Sequence, residues 1–159
     1  MLQVVNKLQS RWVYNDMDSI SSVVLFKNST HQNKAESIMA KIMVVEDDEQ
    51  ASTFIAEVLA LDGHEAIVVN DSSKALSIAG STVPEAFLLD LMMPAPDGFK
   101  LCRMLRAEPK FKHTPIMIVT ALDDTDSKIV AIGAGANDYL VKPFPVEDLL
   151  AKVKELLEE

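Results

Sequence analysis

Cysteine is almost absent. Cys102 is the only one in 159 residues, so the chain can form no internal disulfide and has no paired-cysteine metal clip. Long apolar runs are missing as well: the longest are four residues, such as Ile42 to Val45 and Ile116 to Val119. A membrane-crossing helix needs roughly 20, and the N-terminus lacks the apolar stretch of a secretory signal. No membrane partner is expected, and the cytoplasm is the expected location. Positive charge is scarce, with 15 basic against 24 acidic residues and a net charge of −9. That balance repels phosphate backbones, which argues against a nucleic-acid partner and for cation binding. What the chain does have, 48% hydrophobic and 25% charged residues, excludes wholesale disorder.

Glycine and proline are missing from one end only. All five glycines and seven prolines lie at or beyond Gly63. Residues 1–38 carry four basic and three acidic groups, which leaves 11 basic and 21 acidic groups for the rest. This early segment is rich in Ser and Asn, with short apolar pieces at Trp12 to Tyr14 and Val23 to Phe26. We read it as an N-terminal extension, either a weakly ordered arm or the product of a misassigned start, because Met39-Ala40-Lys41 opens directly onto the first regular segment. The working domain is expected over residues 39–159.

From Lys41 the pattern is that of five βα units. Four-residue or shorter apolar runs at Ile42 to Val45, Ala66 to Val69, Ala86 to Leu89, Ile116 to Val119 and Tyr139 to Val141 read as strands of a sheet covered on both faces. Alternation with helix-length stretches makes that sheet parallel. The last helical stretch is the clearest. Val146, Leu149, Leu150, Val153, Leu156 and Leu157 share one face, and Pro145, Glu147 and Asp148 suit its first turn. Asp71 and Ser72 can cap the helix carrying Leu76 and Ile78.

In an open α/β sheet, ligands bind beyond the carboxyl ends of the strands. Those positions are acidic here: Glu46, Asp47, Asp48 and Glu49 follow strand one, and Asp90 follows strand three. Thr120 follows strand four and Lys142 follows strand five. If strands one and three are neighbours, Glu46, Asp47 and Asp90 share a crevice in which like charges repel unless a cation intervenes. A hard divalent ion with oxygen ligands resolves this, and Lys142 adds a second positive charge. An aspartate held between the two is a usable nucleophile toward phosphorus, and Thr120 can donate to the phosphoryl group. Taken singly each group has a plainer reading: Asp47, Asp48 and Glu49 as caps of the helix with Phe54, Ile55, Val58 and Leu59, and Lys142 as a solvated lysine. Capping does not require all four kinds of group at the ends of four different runs. Cys102, Met104 and Met117 read as core filler, and His64 and His113 have no partner at ligand spacing.

IMVVEDDE at 42–49, FLLDLMMPAPDG at 87–98, PIMIVTA at 115–121 and DYLVKPF at 138–144 together resemble a response-regulator receiver domain of two-component signalling. The resemblance covers Lys41 to Glu159, 119 of the 159 residues. It implies a flavodoxin-like, doubly wound five-stranded parallel sheet of order 2-1-3-4-5 flanked by five helices. Asp90 matches the phosphoacceptor, fed by a histidine kinase or histidine phosphotransfer protein. Glu46 and Asp47 match the acidic pair that holds Mg2+ or Mn2+, with Asp47, Asp90 and the backbone carbonyl of Met92 as direct ligands. Glu46 departs from the Asp-Asp found in many relatives.

Thr120 and Tyr139 match the switch pair, Ala121 the small residue that gives access, and Lys142 the phosphate-binding lysine. Lys142-Pro143 is the expected place for a cis bond. Phosphorylation is then expected to bias a protein-binding face formed by the fourth helix, fifth strand and fifth helix. With the chain ending at Glu159, a stand-alone regulator read by a partner protein is expected, and not an enzyme. Met92 and Leu122, two residues after Asp90 and Thr120, are expected to flank the path of a hydrolytic water.

Three other classes fit less well. A phosphatase or mutase using an aspartyl phosphate wants a second aspartate two residues after the nucleophile, where Met92 stands. A flavin carrier wants a Ser/Thr/Gly-rich loop after strand one, where Glu46 to Glu49 stand. A receiver-like scaffold that is never phosphorylated does not need the complete set of site residues.

Overall fold

The computed structural model describes residues 39–158; both readings of the N-terminal extension, and the apolar pieces within it, lie outside the described residues. Five strands, β1 (Lys41–Val45), β2 (Glu65–Val69), β3 (Ala86–Leu89), β4 (Ile116–Thr120) and β5 (Asp138–Val141), form one parallel sheet in the order β2-β1-β3-β4-β5. They alternate with helices α1 (Glu49–Leu61), α2 (Ala75–Thr82), α3 (Gly98–Ala107), α4 (Thr125–Gly133) and α5 (Val146–Glu158). This is the flavodoxin-like arrangement that the apolar runs and the resemblance lead one to expect. The runs mark every strand to within one residue at either end.

Alternation along the strands divides the core in two. Met43, Val45, Phe87, Leu89, Ile116 and Ile118 face α2, α3 and α4, meeting Ala75, Ala79, Leu101, Leu105 and Ala131. Ile42, Val44, Leu88, Met117 and Val119 face α1 and α5, meeting Ile55, Val58, Leu59, Leu149, Val153 and Leu156. Phe87 and Phe111 meet edge to face, with ring centroids 5.3 Å apart. Cys102 and Met117 are fully buried, as filler should be, while Met104 is half-buried. β2 departs from the expectation of cover on both faces. It is an edge strand, and of its five residues only Val69 is buried.

Two local expectations are adjusted. The Asp71 carboxylate accepts from the Ser73 amide at 3.1 Å, but it caps a 3-10 turn over Ser72–Lys74 that runs into α2, whose own first turn has no side-chain cap. His64, to which spacing assigns no role, is buried, and its Nδ1 accepts from the Ala40 amide at 3.3 Å where the chain enters β1. The partner is a backbone group 24 residues away, so side-chain spacing could not reveal it.

The end of the sheet away from the acidic residues is tied by Arg106 of α3. Its guanidinium donates to the carbonyls of Gly135 at 2.9 Å, Phe111 at 3.0 Å and Thr114 at 2.7 Å, and to Asn137 Oδ1 at 2.7 Å. Gly135 has φ +106, and a Cβ there would lie 2.7 Å from Arg106 Cγ, so both the turn and the overlying side chain require glycine. This anchoring leaves the opposite edge as the place where polar groups converge.

Candidate functional site

β1 and β3 are neighbours, so their carboxyl ends open side by side. The Asp90 amide donates to the Val45 carbonyl at 3.0 Å, which sets the start of the loop after β3 against the end of β1. Carboxylate oxygens of Glu46, Asp47 and Asp90 all lie within 4.8 Å of one another, with Glu46 and Asp90 buried and Asp47 exposed. A cleft of about 190 Å³ is lined by Glu46, Asp47, Asp48, Ala51, Asp90, Met92, Ala121 and Lys142.

The capping reading and the site reading divide one loop between them. Asp48 is the N-cap of α1 and accepts from the Gln50 amide at 2.9 Å and the Ala51 amide at 3.1 Å. Among the described residues, neither Glu46 nor Asp47 is the N-cap of a helix. Glu46 Oε1 accepts from the Asp48 amide at 3.0 Å, and Oε2 accepts from the Lys142 ammonium. The Lys142 and Glu46 side chains are 10% and 4% exposed, so the ion pair is buried. Burial pushes the Glu46 carboxyl above its ordinary range; the Lys142 charge opposes this and the Asp90 charge adds to it. Lys142 is thus paired with Glu46. Both Glu46 oxygens are engaged, while Asp47 has its carboxylate at the cleft mouth.

Asp90 Oδ1 accepts from the Leu91 amide at 2.8 Å. Gly98, which opens α3, stands so close that a Cβ would fall 2.1 Å from the Asp90 carbonyl oxygen. Any side chain there would push the Asp90 loop off its strand. Thr120 ends β4 instead of following it, is fully buried, and its hydroxyl has no hydrogen-bond partner among the described residues. Lys142 and Pro143 are joined by a cis peptide, and so are Ala95 and Pro96.

Tyr139 stands apart from the cleft. Its hydroxyl donates to the Leu122 carbonyl at 2.8 Å, and the Lys128 ammonium lies 5.8 Å from its ring centre. Desolvation, with the charges of Asp124, Asp123 and Asp90 adding, pushes the phenol up to about 12, so it stays a donor. Leu122 does not flank the cleft with Met92. Its carbonyl serves Tyr139 and its side chain packs on the core, whereas Met92 is 58% exposed at the rim. Two further residues join the site: Asn70, which directly follows β2 and so meets the same positional criterion as the other site residues, donates to the Glu46 carbonyl and to the Ser52 hydroxyl, and Ser52 carries no sequence signal of its own.

Residues 42–154 match the family model for the response regulator receiver domain. The chain belongs to the response regulator receiver family. It is 36% identical over 119 residues to the DNA-binding dual master transcriptional regulator RpaA of Synechocystis sp., covering 75% of this chain and 49% of that protein. It is 38% identical over 117 residues to response regulator MprA of Mycobacterium avium, covering 74% and 50% respectively. The chain therefore spans about half the length of these curated relatives. The BeF3-activated receiver domain of Klebsiella pneumoniae RstA superposes with a TM-score of 0.71 at 34% identity, over 75% of this chain and 99% of that one. Chemotaxis protein CheY4 of Vibrio cholerae superposes with a TM-score of 0.72 at 29% identity, over 75% and 99%.

Receivers are signalling proteins of two-component systems, not enzymes in the ordinary sense, and take phosphate from histidine kinases. The RpaA relative is by name DNA-binding, so the acidity of this receiver does not extend a prohibition on nucleic acid to longer members of its family. Among the described residues no helix is long and apolar enough to cross a membrane.

The donor set fits a hard divalent cation. It offers oxygen ligands only, three carboxylates face one ammonium, and the Thr120 hydroxyl at the end of β4 is buried with no hydrogen-bond partner among the described residues.

Proposed function

We propose that residues 39–159 act as a phosphoryl-accepting switch with Asp90 as acceptor. The observation that carries this is the convergence of Asp90, Asp47, Glu46 and Lys142 on one cleft at the carboxyl edge of the sheet. An Asp90 carboxylate oxygen attacks the phosphorus of a phosphohistidine; the N–P bond breaks and the imidazole leaves, taking up a proton. Asp47, Asp90 and the Met92 carbonyl would hold Mg2+ or Mn2+, which supplies positive charge against the phosphoryl oxygens. The Lys142 ammonium leaves Glu46 for a phosphoryl oxygen, the Thr120 hydroxyl donates to another, and Ala121 leaves the approach open. Tyr139 follows Thr120, and the α4, β5, α5 face changes for a protein reader. Incubation with acetyl phosphate and magnesium should add one phosphate by intact mass. No uptake, or uptake undiminished by chelation of the metal, would overturn the reading.

Met92 is expected to lengthen the life of the phosphoaspartate. Hydrolysis needs an oriented water opposite the Asp90 oxygen, and an apolar, exposed side chain at the rim can obstruct it but cannot orient it or take its proton. Met92→Asn should speed decay by about tenfold, a modest part of the 10²–10⁴ that positioned proton acceptors contribute. Leu122→Glu should add little, because Leu122 packs on the core. Decay followed by intact mass checks both.

A further inference from the structure

The carboxyl edge of the sheet carries one more polar residue, which the phosphoryl chemistry leaves unused. Asn70 follows β2, and its Nδ2 donates to the Glu46 carbonyl at 2.7 Å and to the Ser52 hydroxyl at 2.8 Å. Ser52, itself 1% exposed, donates onward to the Glu49 carbonyl at 3.1 Å. One amide on the edge strand thereby grips both ends of the Glu46–Glu49 loop. Within that loop the Asp48 amide folds back on Glu46 Oε1, and the Ser52 amide donates to the Asp48 carbonyl at 2.9 Å.

Four consecutive acidic residues repel one another and Asp90, which favours a spread loop. Of the bonds that oppose spreading, those of Asn70 and Ser52 alone are made by uncharged side chains, and neither residue is among those lining the cleft. Their place relative to Glu46 and Asp47 is that of groups that orient ligands without touching the ion. Resting on the reading of Glu46, Asp47 and Asp90 as a divalent-cation site, we infer that Asn70 and Ser52 are positioning residues that hold the acidic loop closed for the cation. Metal affinity depends on them, and the reactivity of Asp90 once the site is filled does not.

Calorimetric titration of the full chain with magnesium tests this. Asn70→Ala should raise the dissociation constant about tenfold, the lower end of what outer-shell partners contribute. Ser52→Ala should raise it in the same direction, and the double variant should fall within about twofold of Asn70→Ala, because both bonds act on one loop. The magnesium needed for half-maximal phosphate uptake should rise by the same factor, with the rate at saturating magnesium nearly unchanged. A merely structural role would lower the melting temperature of the metal-free protein and leave the dissociation constant alone; that result, in either single variant, overturns the proposal. A parent protein that binds no magnesium in the same titration overturns the cation site and the relay with it, whereas a parent that binds and variants that match it overturn the relay only.

Discussion

Asp90→Asn should abolish phosphate uptake and raise the stability of the metal-free protein. Both effects follow from the same geometry. The amide matches the carboxylate in shape, and its oxygen can keep the 2.8 Å hydrogen bond from the Leu91 amide, so the loop before Gly98 has no reason to move. It has no nucleophilic oxygen anion, so no acyl phosphate forms. It also removes one of three carboxylates packed within 4.8 Å, two of them buried and only one ammonium lining their cleft. At an effective dielectric of about 20 one such pair at about 4 Å repels by about 4 kcal/mol, and the attraction to Lys142 that is lost with the Asp90 charge offsets most of the relief, so the net gain is about 1 kcal/mol. Intact mass after acetyl phosphate treatment and thermal melting without metal check the two halves. A phosphorylated Asp90→Asn protein would place the acceptor elsewhere, and an unchanged melting temperature would mean that the carboxylates do not strain the resting fold.

Asp90 can be singled out in the sequence because position within a parallel sheet is legible. A short apolar run of buried β-residues has no other plain reading between helical stretches, and the next residue in the chain must lie at the carboxyl edge. Glu46, Asp47, Asp90, Thr120 and Lys142 are all legible in that way. The illegible features depend on contacts between residues far apart in the chain. Asn70 meets the same positional test, yet nothing local in the sequence ties it to the Glu46 carbonyl 24 positions away. The Glu46–Lys142 pair spans 96 positions. Leu122 sits at the right offset from Thr120, but its carbonyl is turned to Tyr139 and its side chain to the core, and no spacing rule records which way a loop residue faces. Val83 adopts a left-handed conformation, φ 52, at the end of α2. A β-branched residue before a proline gives no warning of that.

Lys142→Ala should slow phosphate uptake about a hundredfold and tighten magnesium binding, two changes that a damaged fold would not produce together. Lys142 is the only cationic side chain among the residues lining the cleft, and its ammonium is committed to Glu46 before phosphate arrives. Removing it leaves a buried carboxylate without its partner, at a cost of about 3 kcal/mol to the metal-free protein, since breaking such a pair strands the remaining charge. The charge of Glu46 is then no longer offset by an ammonium in the field at Asp47 and Asp90, so the dissociation constant for magnesium should fall several-fold and magnesium should recover much of the lost stability. Uptake should not recover with it. The metal neutralises the carboxylates but leaves the incoming phosphoryl oxygens without the second cation, and loss of one preorganised donor to developing charge costs 10²–10³ in rate, about what is expected here. Melting, magnesium titration and uptake at saturating magnesium separate the outcomes. If magnesium restores both stability and uptake to the parent values, Lys142 serves only to neutralise Glu46, and its part in receiving the phosphoryl group is refuted.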